Sequence, residues 1–279
     1  MATVEPGIAR HYEISGLERI LAALADTGVE IAFLSADDLA AVDEFHIGGV
    51  AATRELIDRM GLKPGARLLD IGSGIGGPAR FAANNAGADV TGIDLTQSYV
   101  DTAASLSKRV GMDGKTRFVQ GSALDMPFDK ASFDAAMILH VGMNLPDKRR
   151  LMSEAARVLK PGGVFAIYDV MRLKDGALTY PLPWASDETM SFVAGPDNYR
   201  STATAAGFSV TAERPRGAFA IEFFAKMRAR MAAAQAEGKK PPPGVGLVMG
   251  EDARTKIANL TAALEGGILA PVEMLLRLG

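Results

Sequence analysis

The chain has 279 residues, a formal net charge of −3, and 48% hydrophobic against 23% charged residues, so it can bury a full core without staples and lacks the basic excess that suits a nucleic-acid partner. With no cysteine it has no disulfides, no thiolate metal ligands and no cysteine nucleophile, which fits a reducing, cytoplasmic setting. The opening Met-Ala-Thr-Val-Glu-Pro-Gly lacks the basic-then-apolar order of a secretion signal, and no apolar run reaches the roughly 18 residues of a membrane span.

Ile14, Leu17, Ile20, Leu21 and Leu24 repeat at helical spacing and predict a first helix over 14–25, with Gly28 as its stop. A second helix is expected from Ala51 to Met60, stopped by Gly61. The pattern then turns to strands alternating with helices. Ala66–Ile71 is a strand, followed by the loop Gly72–Gly77 and a helix entered at Pro78. Asp89–Ile93 is a strand ending at Asp94, and 97–110 is helical. Thr116–Gln120 and Phe133–Leu139 are strands. A helix over 147–159 ends at Lys160-Pro-Gly-Gly163, and Val164–Val170 is the fifth strand. Residues 171–198 break the rhythm with proline, glycine and aromatics. A short helix (Ser201–Ala206), a strand (Phe208–Glu213) and helices over 218–236 and 252–264 follow. The turn Lys239–Gly244 separates those two helices, and a final strand runs from Ile268 to Leu278. The alternation predicts an α/β fold: a doubly wound, mostly parallel sheet covered on both faces.

Gly72, Gly74 and Gly77 form G-x-G-x-x-G between a strand and a helix, where bare backbone lets a ligand approach closely. Asp94 stands 22 residues after Gly72, at the end of the next strand, where a carboxylate can accept from both hydroxyls of a ribose or cap the following helix. Together they point to an adenosine-containing ligand, with a nicotinamide dinucleotide and a sulfonium nucleoside as rivals. Asp70, two residues before the loop, suits an ammonium group better than a pyrophosphate.

With these stand Phe118-Val-Gln-Gly-Ser-Ala-Leu-Asp-Met-Pro-Phe128 after the third strand and Leu159-Lys-Pro-Gly-Gly163 before the fifth. From about Asp43 to Val170 the chain resembles the class I S-adenosylmethionine-dependent methyltransferases, in particular the branch holding ubiquinone/menaquinone C-methyltransferases and sarcosine/dimethylglycine N-methyltransferases. The resemblance implies a seven-stranded Rossmann-like sheet with a helical cap and a C-terminal insertion. It also implies S-adenosylmethionine as cofactor, S-adenosylhomocysteine as product, and methylation of an O, N or C nucleophile on a small molecule. In the positions it carries over, Asp70 and the backbone of Gly72, Ser73, Gly74 and Gly76 hold the methionine end. Asp94 binds the ribose, with Leu95 beside the adenine and Gln97 also at the cofactor; Ser122 and Ala123 edge the adenine; Leu139 and His140 lie under the methionine and sulfonium. Ser122 stands where many relatives have Asp, and Ser73 where cysteine is common.

Residues 1–45 are expected to form the cap and 46–279 the methyltransferase domain, with lid or substrate insertions at about 171–198 and 217–265. Tyr12, Phe45, Met143, Asn144, Tyr180 and Trp184 are candidates for the acceptor pocket. Trp184, the single tryptophan, sits in the proline-stiffened Tyr180-Pro-Leu-Pro-Trp-Ala185. His46 and His11 read as caps or surface residues. Lys226, Arg228, Arg230, Lys239 and Lys240 read as solvated helix faces. His140 is the candidate general base, titrating near ~6.5, or else it only orders the loop by bonding a backbone carbonyl, with Asn144 as a partner in that role. No metal is expected; the sequence is compatible with a homodimer. The rival functions are a nicotinamide-dependent oxidoreductase and a non-catalytic binding protein on the same fold.

Overall fold

Glycine and proline punctuation delimits the elements much as the sequence suggests. The computed structural model describes residues 16–26, 28–40, 42–238 and 252–279. In chain order these hold α1 (Leu17–Ala25), α2 (Ala36–Leu39), α3 (Gly49–Met60), β1 (Arg67–Ile71), α4 (Gly77–Asn85), β2 (Asp89–Asp94), α5 (Gln97–Arg109) and β3 (Thr116–Gln120). Next come β4 (Phe133–Leu139), α6 (Lys148–Val158), β5 (Leu159–Arg172), α7 (Pro196–Ala205), β6 (Phe208–Pro215), α8 (Gly217–Ala236), α9 (Ala253–Glu265) and β7 (Leu269–Leu278). Single 3₁₀ turns lie at Ile31–Phe33, Gly142–Asn144 and Glu188–Met190. No helix among the described residues is long and apolar enough to cross a membrane.

The sheet order is β3-β2-β1-β4-β5-β7-β6. The first five strands pair in parallel, and β7 runs antiparallel between β5 and β6. Successive side chains of a strand face opposite sides, and the core divides accordingly. Leu69, Ile71, Ala136, Ile138, Phe165 and Ile167 pack under α6 and α7. Leu68, Ala135, Met137, Leu139, Ala166 and Tyr168 pack under α3 and α4. Asp70 shares that second face, at the carboxyl end of β1. A third cluster joins α8, α9 and the loop after β5. A fourth seats α1 and α2 on α5 through Ile20, Leu24, Leu39, Tyr99 and Leu106.

Two boundaries differ most from expectation. The helix expected from Ser201 begins at Pro196, because Gly195 precedes a proline suited to a first turn. Lys160–Gly163 also do not separate α6 from β5. Leu159 already pairs with Phe133, the register shifts, and Val164 then pairs with Ala135. Gly162, at φ +76°, lets the extra residues loop out as a bulge.

Candidate active site

In open α/β sheets the ligand crevice lies outside the strand carboxyl ends, where the order reverses. Here that point lies at β1, between β2 and β4, and a cavity opens there. Its first half is bounded by Asp70, Gly72, Ser73 and Gly74 after β1, Asp94 and Leu95 after β2, and Ser122 and Ala123 after β3. Leu139 and His140 after β4 lie at the junction. The second half is walled by Met143, Asn144, Pro146, Trp184, Phe223, Phe224, Lys256 and Leu260.

Backbone hydrogen bonds shape the glycine loop. The N–H groups of Gly72 and Ser73 donate to the Ile93 carbonyl, at 2.7 and 3.0 Å. Asp94 braces the other side: its Oδ2 accepts from the Gly74 N–H and its Oδ1 from the Thr96 N–H, each at 2.9 Å. Gly74 sits at φ +53°, and a Cβ there would meet only the Phe45 ring, 3.8 Å away, so its open side faces the cavity. Gly76 serves another purpose. A Cβ on it would lie 2.7 Å from Phe118 and 2.8 Å from the Arg80 guanidinium. Gly76 therefore does not line the cavity; it lets α4 close onto the core.

Several buried polar atoms at the site lack a protein partner. Besides Asp43 Oδ1, they include Asp70 Oδ2, Ser73 Oγ and both ring nitrogens of His140. An orphaned buried polar group costs about 1–3 kcal/mol, and all four residues line one cavity. Withdrawal from water, with Asp94 nearby, pushes the Asp70 carboxyl up to about 8. Withdrawal from water raises Asp94 as well, against its backbone hydrogen bonds.

His140 adopts φ +52° and stacks edge-on against Tyr168, with ring centroids 4.9 Å apart. Burial, with His46 beside it, holds its imidazole well below the ordinary histidine range, so the titration expected near 6.5 moves to lower pH. Neither ring nitrogen of His140 has a partner among the described residues, so it does not order the loop by a side-chain hydrogen bond; the Asn144 amide instead donates 2.9 Å to the Trp184 carbonyl and ties the two loops together. The Trp184 indole N–H donates to Ser191 Oγ at 3.1 Å.

His46, expected as a cap or surface residue, is buried and lines the cavity, with Thr53 Oγ1 3.0 Å from its Nε2. Thr53 also donates to Glu44 at 2.7 Å. Burial lowers His46 to about 4, and burial beside Asp43 raises Glu44 to about 8. Arg80, also unremarked in the sequence, is buried and donates to Asp43 Oδ2 at 2.7 Å and to the Ile75 carbonyl at 2.8 Å. It thereby clamps the segment before α3 onto the glycine loop.

Of the other candidates, Gln97 is exposed on α5 and bonds Asp101 at 2.7 Å, outside the cavity lining. Tyr180 is half-buried in the third cluster and does not line the cavity either. Phe45, Met143 and Trp184 do. Ser122 Oγ accepts from the Leu124 N–H at 3.0 Å. Lys226 is exposed and pairs with Glu222, as a solvated helix face requires. Tyr12, His11, Lys239 and Lys240 lie outside the described residues. Among those described, no group of three or more histidine or carboxylate side chains could hold a metal ion.

Comparison with known proteins agrees with this architecture. A family model described as a methyltransferase domain matches residues 69–167. Over that stretch the chain is similar to methyltransferase domains. Sterol 24-C-methyltransferase ERG6B of Gibberella zeae is 40% identical over 114 residues, 41% of this chain and 30% of that one. The chain thus spans less than a third of the sterol methyltransferases it matches. Methyltransferase GfsG of Streptomyces halstedii is 28% identical over 176 residues, 62% of this chain and 63% of that one. The solved geranyl diphosphate C-methyltransferase of Streptomyces coelicolor A3(2) superposes with a TM-score of 0.72 at 19% identity, covering 99% of this chain and 98% of that one. This last likeness is one of fold.

Proposed function

We propose that the protein transfers a methyl group from S-adenosylmethionine to an O, N or C nucleophile of a small molecule. The observation that carries this is the convergence of Asp70 Oδ2, Ser73 Oγ and the His140 ring on one cavity beside Asp94. This donor set fits a zwitterionic nucleoside: acceptors for an ammonium group at Asp70, open backbone at Gly74, and a carboxylate for ribose hydroxyls at Asp94. A dinucleotide fits less well, because its pyrophosphate would face the Asp70 carboxyl.

Bound there, S-adenosylmethionine supplies a methyl group already activated by its sulfonium. The chain's own work is alignment, which can be worth several kcal/mol when two reactants are held in line. Leu139 and His140 would support the reacting end, while Trp184, Phe223 and Phe224 exclude water around the acceptor. His140, neutral across physiological pH, would accept a proton from the acceptor as the bond forms. The loop after β5 and helices α8 and α9 cover the acceptor half, and we assign them the role of a lid. A cytoplasmic location and self-association are further parts of the reading, open to cell fractionation and light scattering.

Calorimetry tests the cofactor directly. S-adenosylmethionine should bind and NADH should not; the reverse result would make the chain an oxidoreductase. Incubating a metabolite extract with methyl-labelled cofactor should yield a labelled product, and binding without product would indicate a non-catalytic member of the fold.

A further inference from the structure

The cavity has two chemically distinct ends. Its carboxylates, Asp43, Asp70 and Asp94, all lie toward the glycine loop. The far end is apolar, with Trp184, Phe223, Phe224 and Leu260, and among the described residues its one cationic side chain is Lys256 of α9. Lys256 is only 7% exposed. No carboxylate lines that end among the described residues.

Resting on the methyltransferase reading, we infer that the acceptor is an apolar molecule bearing a carboxylate or phosphate that seats against Lys256. A buried ammonium is costly unless an opposite charge or hydrogen-bond acceptors compensate it. Burial disfavours the charged form of Lys256, and Asp252, at the N-cap of its helix, favours it. An anionic acceptor group would add to that compensation from within the cavity. An amine would meet like charge at this end, and a neutral molecule would gain nothing from it. The aromatic walls account for the apolar body, and Lys256 fixes which end of the molecule points away from the cofactor.

The single tryptophan is itself a wall of this cavity, so its fluorescence reports occupancy. The protein, saturated with S-adenosylhomocysteine, is titrated with decanoate, decyl phosphate, decanol and decylamine below their micellar concentrations. One or both anions should bind at least about tenfold more tightly than decanol, as a charge-assisted contact implies, and decylamine should bind weakest. The tighter of decanoate and decyl phosphate identifies the anion. Lys256→Met should erase the preference, and Lys256→Arg should retain most of it. Equal affinities across the four probes, no quenching by any of them, or a preference that survives Lys256→Met would overturn the inference. Calorimetry of S-adenosylhomocysteine on the same samples separates the two readings. If it does not bind the wild-type protein, the methyltransferase reading fails; if it binds but no anion preference appears, only the Lys256 assignment fails.

Discussion

Asp70→Asn should stabilise the cofactor-free protein while weakening cofactor binding. The side chain is buried at the end of β1, and burial together with the Asp94 charge raises its pKa from 3.8 to about 8. Between those values the folded chain keeps a proton that the unfolded chain has lost. The stability this proton confers is complete below pH 3.8 and drains away as pH rises through 8. Each pH unit is worth ~1.4 kcal/mol, so at pH 7 the wild-type carboxyl costs up to about 4 kcal/mol relative to a neutral isostere. Asparagine keeps the shape and leaves a similar buried polar atom unpaired, so that cost of about 1–3 kcal/mol largely cancels between the two proteins. Water entering the cavity would relieve part of the wild-type penalty, so a gain of about 1–4 kcal/mol is expected. Urea unfolding of both proteins at pH 5, 7 and 8.5 measures it. The stability gap should widen from pH 5 to 8 and then level off. A gap independent of pH, or a less stable variant, would refute the assignment of the raised pKa to Asp70.

Asp94→Ala should weaken S-adenosylmethionine by roughly 1.5–3 kcal/mol in calorimetry, the range for hydrogen bonds to a charged group. It should also lower the melting temperature slightly, because the Gly74 and Thr96 N–H groups lose their acceptor. Gly74→Ala and Gly76→Ala should separate binding from folding. The first puts a methyl group into open cavity and should weaken cofactor binding with a modest loss of stability from its φ of +53°; the second collides with Phe118 and Arg80 and should mainly destabilise. Comparable melting temperatures for the two would contradict this. His140→Ala should keep cofactor affinity and slow turnover, by about 10²–10⁴-fold if His140 is the base. The wild-type rate should be flat from pH 6.5 to 8 and fall only at lower pH, because burial depresses the imidazole pKa; a rise centred near 6.5 would show that His140 is not buried as described.

The glycine-loop half of the cavity was legible in the sequence because its determinants are local. A strand, a glycine loop, a helix and the next strand's terminal carboxylate fall within 67–94, and the alternation of Leu68, Leu69, Asp70 and Ile71 sets which face each residue takes. Gln97 misled because position along the chain does not say which side of a helix's first turn meets the crevice; here the amide turns toward Asp101. The acceptor half was harder to read. Lys256 and Leu260 reach the cavity only through the packing of α9 against α8 and the loop after β5, which no local period encodes. Arg80 and Asp43 are 37 residues apart, and their pairing depends on how the chain crosses above the glycine loop. His46 read as a surface residue because its local pattern resembles a helix entry; its burial comes from the contact with Tyr168 on a distant strand.

The position of β7 has consequences for how the chain is assembled. β6 touches the sheet only through β7, and β5 meets β7 from Val164 to Arg172. Until β7 arrives, a growing chain can complete the five parallel strands and the glycine loop, but β5 presents an open edge and β6 has nowhere to dock. The helices α8 and α9, which carry Phe223, Phe224 and Lys256, immediately precede β7 and pack against it. The acceptor wall and the closure of the sheet should therefore form in one late, cooperative step. An open edge beside unburied aromatics is a hazard for aggregation, so lesions in β7 should show first as poor yield of soluble protein from cells. The same lesions should spare the nucleotide-facing loops that form earlier in synthesis.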